Sequence, residues 1–126
     1  MILVFDTSVL IDIENRENST IQKIESIRLS YPEVPQISFI SYFEFIYGLR
    51  KKQPHNRNKS LAFVENFNIL HTTKNTANIL SILKEKYGDL PLSDLFIAAQ
   101  TIENNMILLT RDKDFERIGE LNKIVI

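Results

Sequence analysis

The chain contains no cysteine, which excludes a disulfide framework, a thiolate nucleophile and a cysteine zinc site. Its absence fits a reducing compartment. No apolar run approaches the ~20 residues of a membrane span, so no spanning helix is expected. The apolar segment at the N-terminus stops at Asp6 and has no basic region ahead of it, unlike a secretory signal. The compartment expected from these features is the cytoplasm. An excess of charge is missing too: 15 Lys and Arg against 16 Asp and Glu leave a net charge of −1. That balance does not announce a nucleic-acid surface, although acids gathered in one cleft beside a basic patch leave the same average. Repeats, low-complexity runs and linkers are also lacking. The 126 residues suit a single domain, 1–126, with a proper core.

What is present is organised around Asp6. Met1 to Phe5 run without a polar break, followed by Asp6, the hydroxyls of Thr7 and Ser8, and a second apolar run. An uninterrupted run rich in branched residues suits a strand buried on both faces of a parallel sheet. Thr7 and Ser8 can cap a following helix, which puts Asp6 at the carboxyl end of the strand, where open α/β sheets bind ligands. A charge at the edge of a core needs a partner. A metal ion is one, and the positive end of a helix is the other.

Further along, Asn15 to Thr20 form a polar break, and Ile21, Ile24, Ile27 and Leu29 mark a second helix that ends before Pro32 and Pro35. Gln36 to Ile40 read as a strand, and a helix opening at Ser41 runs to about Lys52. Gln53 to Asn56 read as a turn, before a helix carrying Leu61, Phe63, Val64 and Phe67. Asn68 to His71 form a third strand, and Ile79, Leu80, Leu83 and Tyr87 recur at helical spacing up to Gly88. Ser93 or Asp94 starts a helix that buries Leu95, Ala98, Ala99 and Ile102. Met106 to Leu109 and Lys123 to Ile126 complete the strands. Strands alternating with helices predict a three-layer α/β/α sandwich around a mainly parallel sheet of about five strands.

Asp6, Glu44, Asp94 and Asp112 share an address in that scheme, at strand ends or in first helical turns. Parallel strands bring all four to one edge of the sheet. Each close carboxylate pair then costs roughly 4 kcal/mol at 4 Å with an effective dielectric near 20. A divalent cation, protons, or nearby Lys and Arg must offset that repulsion. Oxygen ligands without cysteine, and with only two histidines in the chain, point to Mg²⁺ or Mn²⁺ and away from zinc. Each acid also has a local explanation. Ser41-x-x-Glu44 spells a capping box, and Asp94 follows Ser93 at a helix start. Asp112 suits a turn or a cap for a short helix, and Asp12 and Asp114 read as surface or capping residues. The coincidence of four such acids in one α/β chain favours the common site.

The stretches Asp6-Thr7-Ser8-Val9-Leu10-Ile11-Asp12, Ser41-x-x-Glu44-x-x-x-Gly48, Leu92-Ser93-Asp94-x-x-Ile97-Ala98-Ala99 and Thr110-Arg111-Asp112-Lys113-Asp114-Phe115 resemble the motifs of the PIN-domain family. They are more closely similar to those of VapC-type toxins of toxin–antitoxin pairs. The resemblance spans essentially the whole chain in order. It implies a PIN-like fold and a ribonuclease site in which Asp6, Glu44, Asp94 and Asp112 bind Mg²⁺, or Mn²⁺ in its place. Asp6, Asp94 and Asp112 would touch the metal, with Glu44 acting through water, and Thr110 and Ser8 would support the cluster. It further implies an RNA substrate, a cognate antitoxin protein and a homodimer. The departure is a run of aromatics around Glu44 (Phe39, Tyr42, Phe43, Phe45, Tyr47), which reads as core or dimer surface.

Carboxylate-held Mg²⁺ can activate water for attack on phosphorus, leaving a 5′-phosphate and a 3′-hydroxyl. No motif positions His55 or His71 as a general base. Arg50, Lys51, Lys52, Arg57 and Lys59 crowd one short stretch that could meet a phosphate backbone or cap a helix end. Arg111, beside the acids, could contact phosphate, neutralise the cluster or bind an inhibitor's carboxylate. Two other readings compete: a catalytically silent PIN-fold RNA- or protein-binding module, and a phosphoacceptor receiver domain. The third strand ends in His71-Thr72-Thr73 instead of a phosphoacceptor Asp, which disfavours the receiver.

Overall fold

The computed structural model describes residues 1–126. The elements run β1 (Leu3–Phe5), α1 (Thr7–Glu14), α2 (Asn18–Arg28), β2 (Gln36–Ser38), α3 (Phe39–Leu49) and α4 (Pro54–Val64). Then come β3 (Asn68–Leu70), α5 (Lys74–Lys86), α6 (Leu92–Glu103), β4 (Ile107–Thr110), a 3₁₀ turn (Lys113–Arg117) and β5 (Lys123–Val125). The strands form one sheet in the order β3-β2-β1-β4-β5, and every neighbouring pair is parallel.

Alternation along the strands decides which helices cover which face. Val4 of β1 and Leu108 of β4 point into a core shared with Leu83 of α5 and Leu95, Ala98 and Ala99 of α6. Leu3, Phe5, Ile107 and Leu109 point the other way, towards Val9 and Leu10 of α1, Ile24 of α2, Phe45 and Leu49 of α3 and Val64 of α4. A strand buried on both sides has no polar face to show, which explains the unbroken apolar runs. The result is the expected α/β/α sandwich.

The chain leaves β1 towards β2 on one side and returns to β4 on the other, so the carboxyl ends of β1 and β4 flank the switch point of the sheet. Leu3, Val4 and Phe5 pair with Ile107, Leu108 and Leu109, and the Asp6 amide donates to the Leu109 carbonyl at 3.0 Å. Asp6 and Thr110 therefore leave the sheet side by side.

Several boundaries differ from the sequence reading. Residues 18–20 of the expected polar break are the first turn of α2, after a turn in which Arg16 adopts φ 57°. The strand at 36–40 stops at Ser38, because Ser38 caps α3 by accepting from the Ile40 amide at 3.1 Å. Helix α3 thus starts two residues before Ser41, and the expected Ser41–Glu44 capping box does not form. Residues 54–56, expected in a turn, open α4, with Pro54 in the first turn, where its missing N–H costs nothing.

A buried Gln100 on α6 holds the β2 and β3 ends together. Its Oε1 accepts from Ser38 Oγ at 2.6 Å and from the Phe39 amide at 3.0 Å, while its Nε2 donates to the Leu70 carbonyl at 3.0 Å.

Candidate metal centre

Asp6 occupies the position before the first turn of α1, but its side chain does not cap the helix. It is 4% exposed, and its Oδ2 accepts from Ser8 Oγ at 2.9 Å and from Thr110 Oγ1 at 2.7 Å. Burial pushes its pKa up, and the two hydroxyls pull against that by favouring the charged form. The Thr110 hydroxyl also accepts from the Asp112 amide at 3.0 Å, so one side chain sets both acids. Asp112 in turn caps the 3₁₀ turn by accepting from the Asp114 amide at 2.9 Å.

Asp94 reaches the same place from the first turn of α6. Its pKa is raised to about 7, first by burial and then by the charges of Asp112, Asp6, Glu44 and Asp114. Charges that act on Asp94 in this way must lie near it. Carboxylate oxygens of Asp94, Asp112 and Asp114 lie within 4.8 Å of one another. Asp114, expected as a surface or capping residue, is exposed yet belongs to this tightest group. Asp6 stands beside the trio, close enough to raise Asp94.

Glu44, in the second turn of α3, is held by Thr7, whose hydroxyl donates to Glu44 Oε1 at 2.8 Å and lies 3.1 Å from the Ser41 hydroxyl. From the sequence alone Thr7 reads only as a helix cap. The signal for its second role was its place between Asp6 and Ser8 at the end of β1.

The basic residues divide. Arg50 and Lys51 are exposed just past the end of α3, about 9 Å along the helix from Glu44 at 1.5 Å per residue. Lys52 pairs with Glu14 at 3.4 Å, and Arg57 donates to the carbonyls of Leu49 and Lys52 at the α3 terminus. Arg111 turns away from the cluster: its Nη1 lies 2.9 and 2.8 Å from the two oxygens of Asp12. Asp12 itself, expected on the surface, is 6% exposed and also accepts from Thr20 Oγ1 at 2.6 Å. A buried carboxylate must have partners, and it has found them on α2 and beyond β4.

The ion pairs of the chain are Lys52–Glu14, Lys86–Glu120, Arg111–Asp12 and Arg117–Asp89. None involves the clustered acids, so no Lys or Arg of this chain is paired with them. Hard oxygen donors converging without a basic counter-charge fit a divalent cation of the Mg²⁺ or Mn²⁺ kind. Beside Glu44, a cavity of about 230 Å³ opens between α1 and α3, lined by Ile11, Phe45, Gly48, Leu49, Glu14 and Lys52 among others.

The sequence model of the PIN domain matches residues 3–121, a span that contains every acid of the cluster. The chain belongs to the PIN-domain family. Among solved structures, this PIN domain is similar to a chain of VapBC2 from Rickettsia felis bound to a promoter DNA fragment (TM-score 0.84, 23% identity, 100% of this chain and 99% of that one). It is also similar to a chain of a toxin–antitoxin complex from Klebsiella pneumoniae (TM-score 0.80, 27% identity, 98% and 99%). A third is VapBC-1 from nontypeable Haemophilus influenzae (TM-score 0.81, 24% identity, 99% and 98%). No curated protein matches the sequence. No helix of the PIN domain is long and apolar enough to cross a membrane.

Proposed function

We propose that this PIN domain, residues 1–126 acting as one unit, is a Mg²⁺-dependent endoribonuclease and the toxin of a type II toxin–antitoxin pair. The observation that carries the reading is the convergence of acids on Asp94: oxygens of Asp94, Asp112 and Asp114 lie within 4.8 Å of one another, burial and the charges of Asp112, Asp6, Glu44 and Asp114 together raise Asp94 to about 7, and no basic side chain is paired to any of them. Asp6, Asp94 and Asp112 would hold the ion, with Asp114 beside them and Glu44 acting through water. Mn²⁺ would serve in its place. When bound, the ion supplies positive charge at the scissile phosphate and makes the attacking water more acidic.

The chain's own residues do the rest. Thr110 and Ser8 favour the charged form of the buried Asp6 and aim it, Thr110 also anchors Asp112, and Thr7 holds Glu44 at the rim. Water attacks phosphorus, the bond to the 3′-oxygen breaks, and the products carry a 5′-phosphate and a 3′-hydroxyl. Arg50 and Lys51, exposed and free of ion pairs, meet the phosphates of the RNA.

A cognate antitoxin is the partner that the similarity to chains of toxin–antitoxin complexes supports. A second copy of the chain is supported by α3, where Phe39, Phe43 and Tyr47 are exposed along one side while Phe45 is buried. An apolar stripe of that kind suits a protein interface better than open water. The reading places the protein in the cytoplasm, where its RNA is.

RNA cleavage mapped by sequencing tests the function, with Mg²⁺, with chelator and with Asp94→Asn. Cutting in Mg²⁺ alone, at sites bearing 5′-phosphates, is expected. Equal cutting in all three conditions would remove the mechanism. Folded protein that cuts no RNA in any of them would be the silent binding module.

A further inference from the structure

The pair Asp12–Arg111 takes no part in the chemistry above, yet it joins two segments that do. Asp12 lies on α1, six positions after Asp6, and is buried under α2. Arg111 lies between Thr110, whose hydroxyl serves Asp6 and Asp112, and Asp112 itself. Arg111 is half exposed at its side chain, at 51%, so its reach to a carboxylate that is 8% exposed is a choice of partner over solvent. Its backbone is held as well: the Arg111 amide donates to Ser8 Oγ at 3.3 Å, and Ser8 Oγ donates to Asp6.

We infer that Asp12 is a positioning residue, and that the Asp12–Arg111 pair clamps the segment 110–114 onto α1, fixing Asp112 and Asp114 opposite Asp94. This rests on the proposed metal site. Thr20 completes the clamp, since its hydroxyl donates to Asp12 Oδ2 at 2.6 Å and orients the carboxylate from α2. Without the clamp, the turn keeps the hydroxyl contacts of Thr110 and Ser8, the buried Phe115 and the Arg117–Asp89 pair, so the loss falls on the stretch between Thr110 and Phe115. Groups that orient first ligands typically change metal affinity 10- to 100-fold when removed.

The contact has a chemical signature. Both distances run from one guanidinium nitrogen, Nη1, to the two Asp12 oxygens, so the fork of arginine is not used here. A single ammonium can make the same contact. Arg111→Lys therefore keeps the clamp, and Arg111→Met breaks it. A phosphate-binding role for Arg111 would show a different pattern, in the salt dependence and KM for RNA.

The test is amide hydrogen exchange on the metal-free full chain, paired with Mn²⁺ titration by electron paramagnetic resonance. In Asp12→Asn and Arg111→Met, the amides of 111–114 are expected to exchange about tenfold faster while β1 and α6 stay protected. Mn²⁺ is expected to bind about tenfold more weakly. The double variant should be no worse than Arg111→Met alone, since both remove one interaction. Arg111→Lys should restore both readouts, whereas in Asp12→Asn and Arg111→Met kcat should fall with little change in KM.

If Asp12→Asn does not fold, Thr20→Val with Arg111→Met replaces it. Unchanged exchange at 111–114 overturns the clamp, as does an increase spread evenly over the chain, which marks general destabilisation. A rise in KM for RNA with exchange and Mn²⁺ affinity intact assigns Arg111 to phosphate instead. If wild-type protein takes up no Mn²⁺, the metal site fails, and the metal-free exchange still decides the clamp.

Discussion

The Thr110 hydroxyl donates to Asp6 Oδ2 at 2.7 Å across 104 positions of sequence. The same oxygen receives the Asp112 amide, so β4 delivers one hydroxyl that serves two acids. Thr110→Val keeps the shape and removes both contacts. We expect divalent-ion affinity to fall at least tenfold, the usual scale for lost orientation of a ligand. Thr110→Ser should retain most of it. Titration calorimetry with Mn²⁺ checks this, and equal affinities for the three proteins would show that Thr110 only fills space.

The raised pKa of Asp94 makes stability depend on pH in a definite direction. A carboxyl group shifted from 3.8 to about 7 contributes stability that is full below 3.8 and is lost as pH rises through 7. Metal-free protein should thus lose Tm between about pH 5.5 and about pH 8 relative to Asp94→Asn, which cannot ionise there. If Mg²⁺ binds the ionised cluster as proposed, its stabilising effect should be larger at the higher pH. Differential scanning fluorimetry on the two proteins, with chelator and with Mg²⁺, measures both slopes. A variant less stable than wild type at the higher pH without metal would contradict the prediction.

How much of this was legible beforehand depended on distance along the chain. Asp6 was legible because an apolar strand ends there and two hydroxyls follow. Asp94 and Asp112 were legible from the same strand-and-helix grammar. Glu44 was ambiguous, since Ser41-x-x-Glu44 also spells a cap. Only Gln100, 62 positions beyond Ser38, shows why α3 starts early and leaves Glu44 in its second turn. The burial of Asp12 has no local signal either: its partner Arg111 is 99 positions away, and nothing near it in the sequence says that α2 will cover it. Asp114 joins the acids because α6 packs Asp94 against the 3₁₀ turn, a tertiary fact without a local signal.

Gln100 gives a stability prediction free of the chemistry. Gln100→Leu leaves the Ser38 hydroxyl, the Phe39 amide and the Leu70 carbonyl without their partner. Each unsatisfied buried group costs about 1–3 kcal/mol. We expect a loss on the order of 3 kcal/mol in urea denaturation with an unchanged m-value. A change below about 0.5 kcal/mol would mean that water or a shifted backbone replaces the glutamine.

The basic patch can be divided by salt. Arg50 and Lys51 are free of ion pairs, whereas Lys52 is paired with Glu14. Removing a phosphate contact on single-stranded RNA lowers the slope of log K against log salt by roughly 0.7. Arg50→Gln and Lys51→Gln should each do this, and Lys52→Gln should leave the slope unchanged. Filter binding of a chain inactivated by Asp94→Asn would measure it, and three equal slopes would show that RNA lies elsewhere.

The central claim is that one hard cation sits among acids drawn from β1, α6 and the turn after β4. An anomalous difference map from crystals grown with Mn²⁺ tests it most directly. The account predicts a peak within direct bonding distance, roughly 2 Å, of carboxylate oxygens of Asp94 and Asp112, with Asp6 beside it. A map with no peak there, or with its peak on the far side of the sheet, would contradict it.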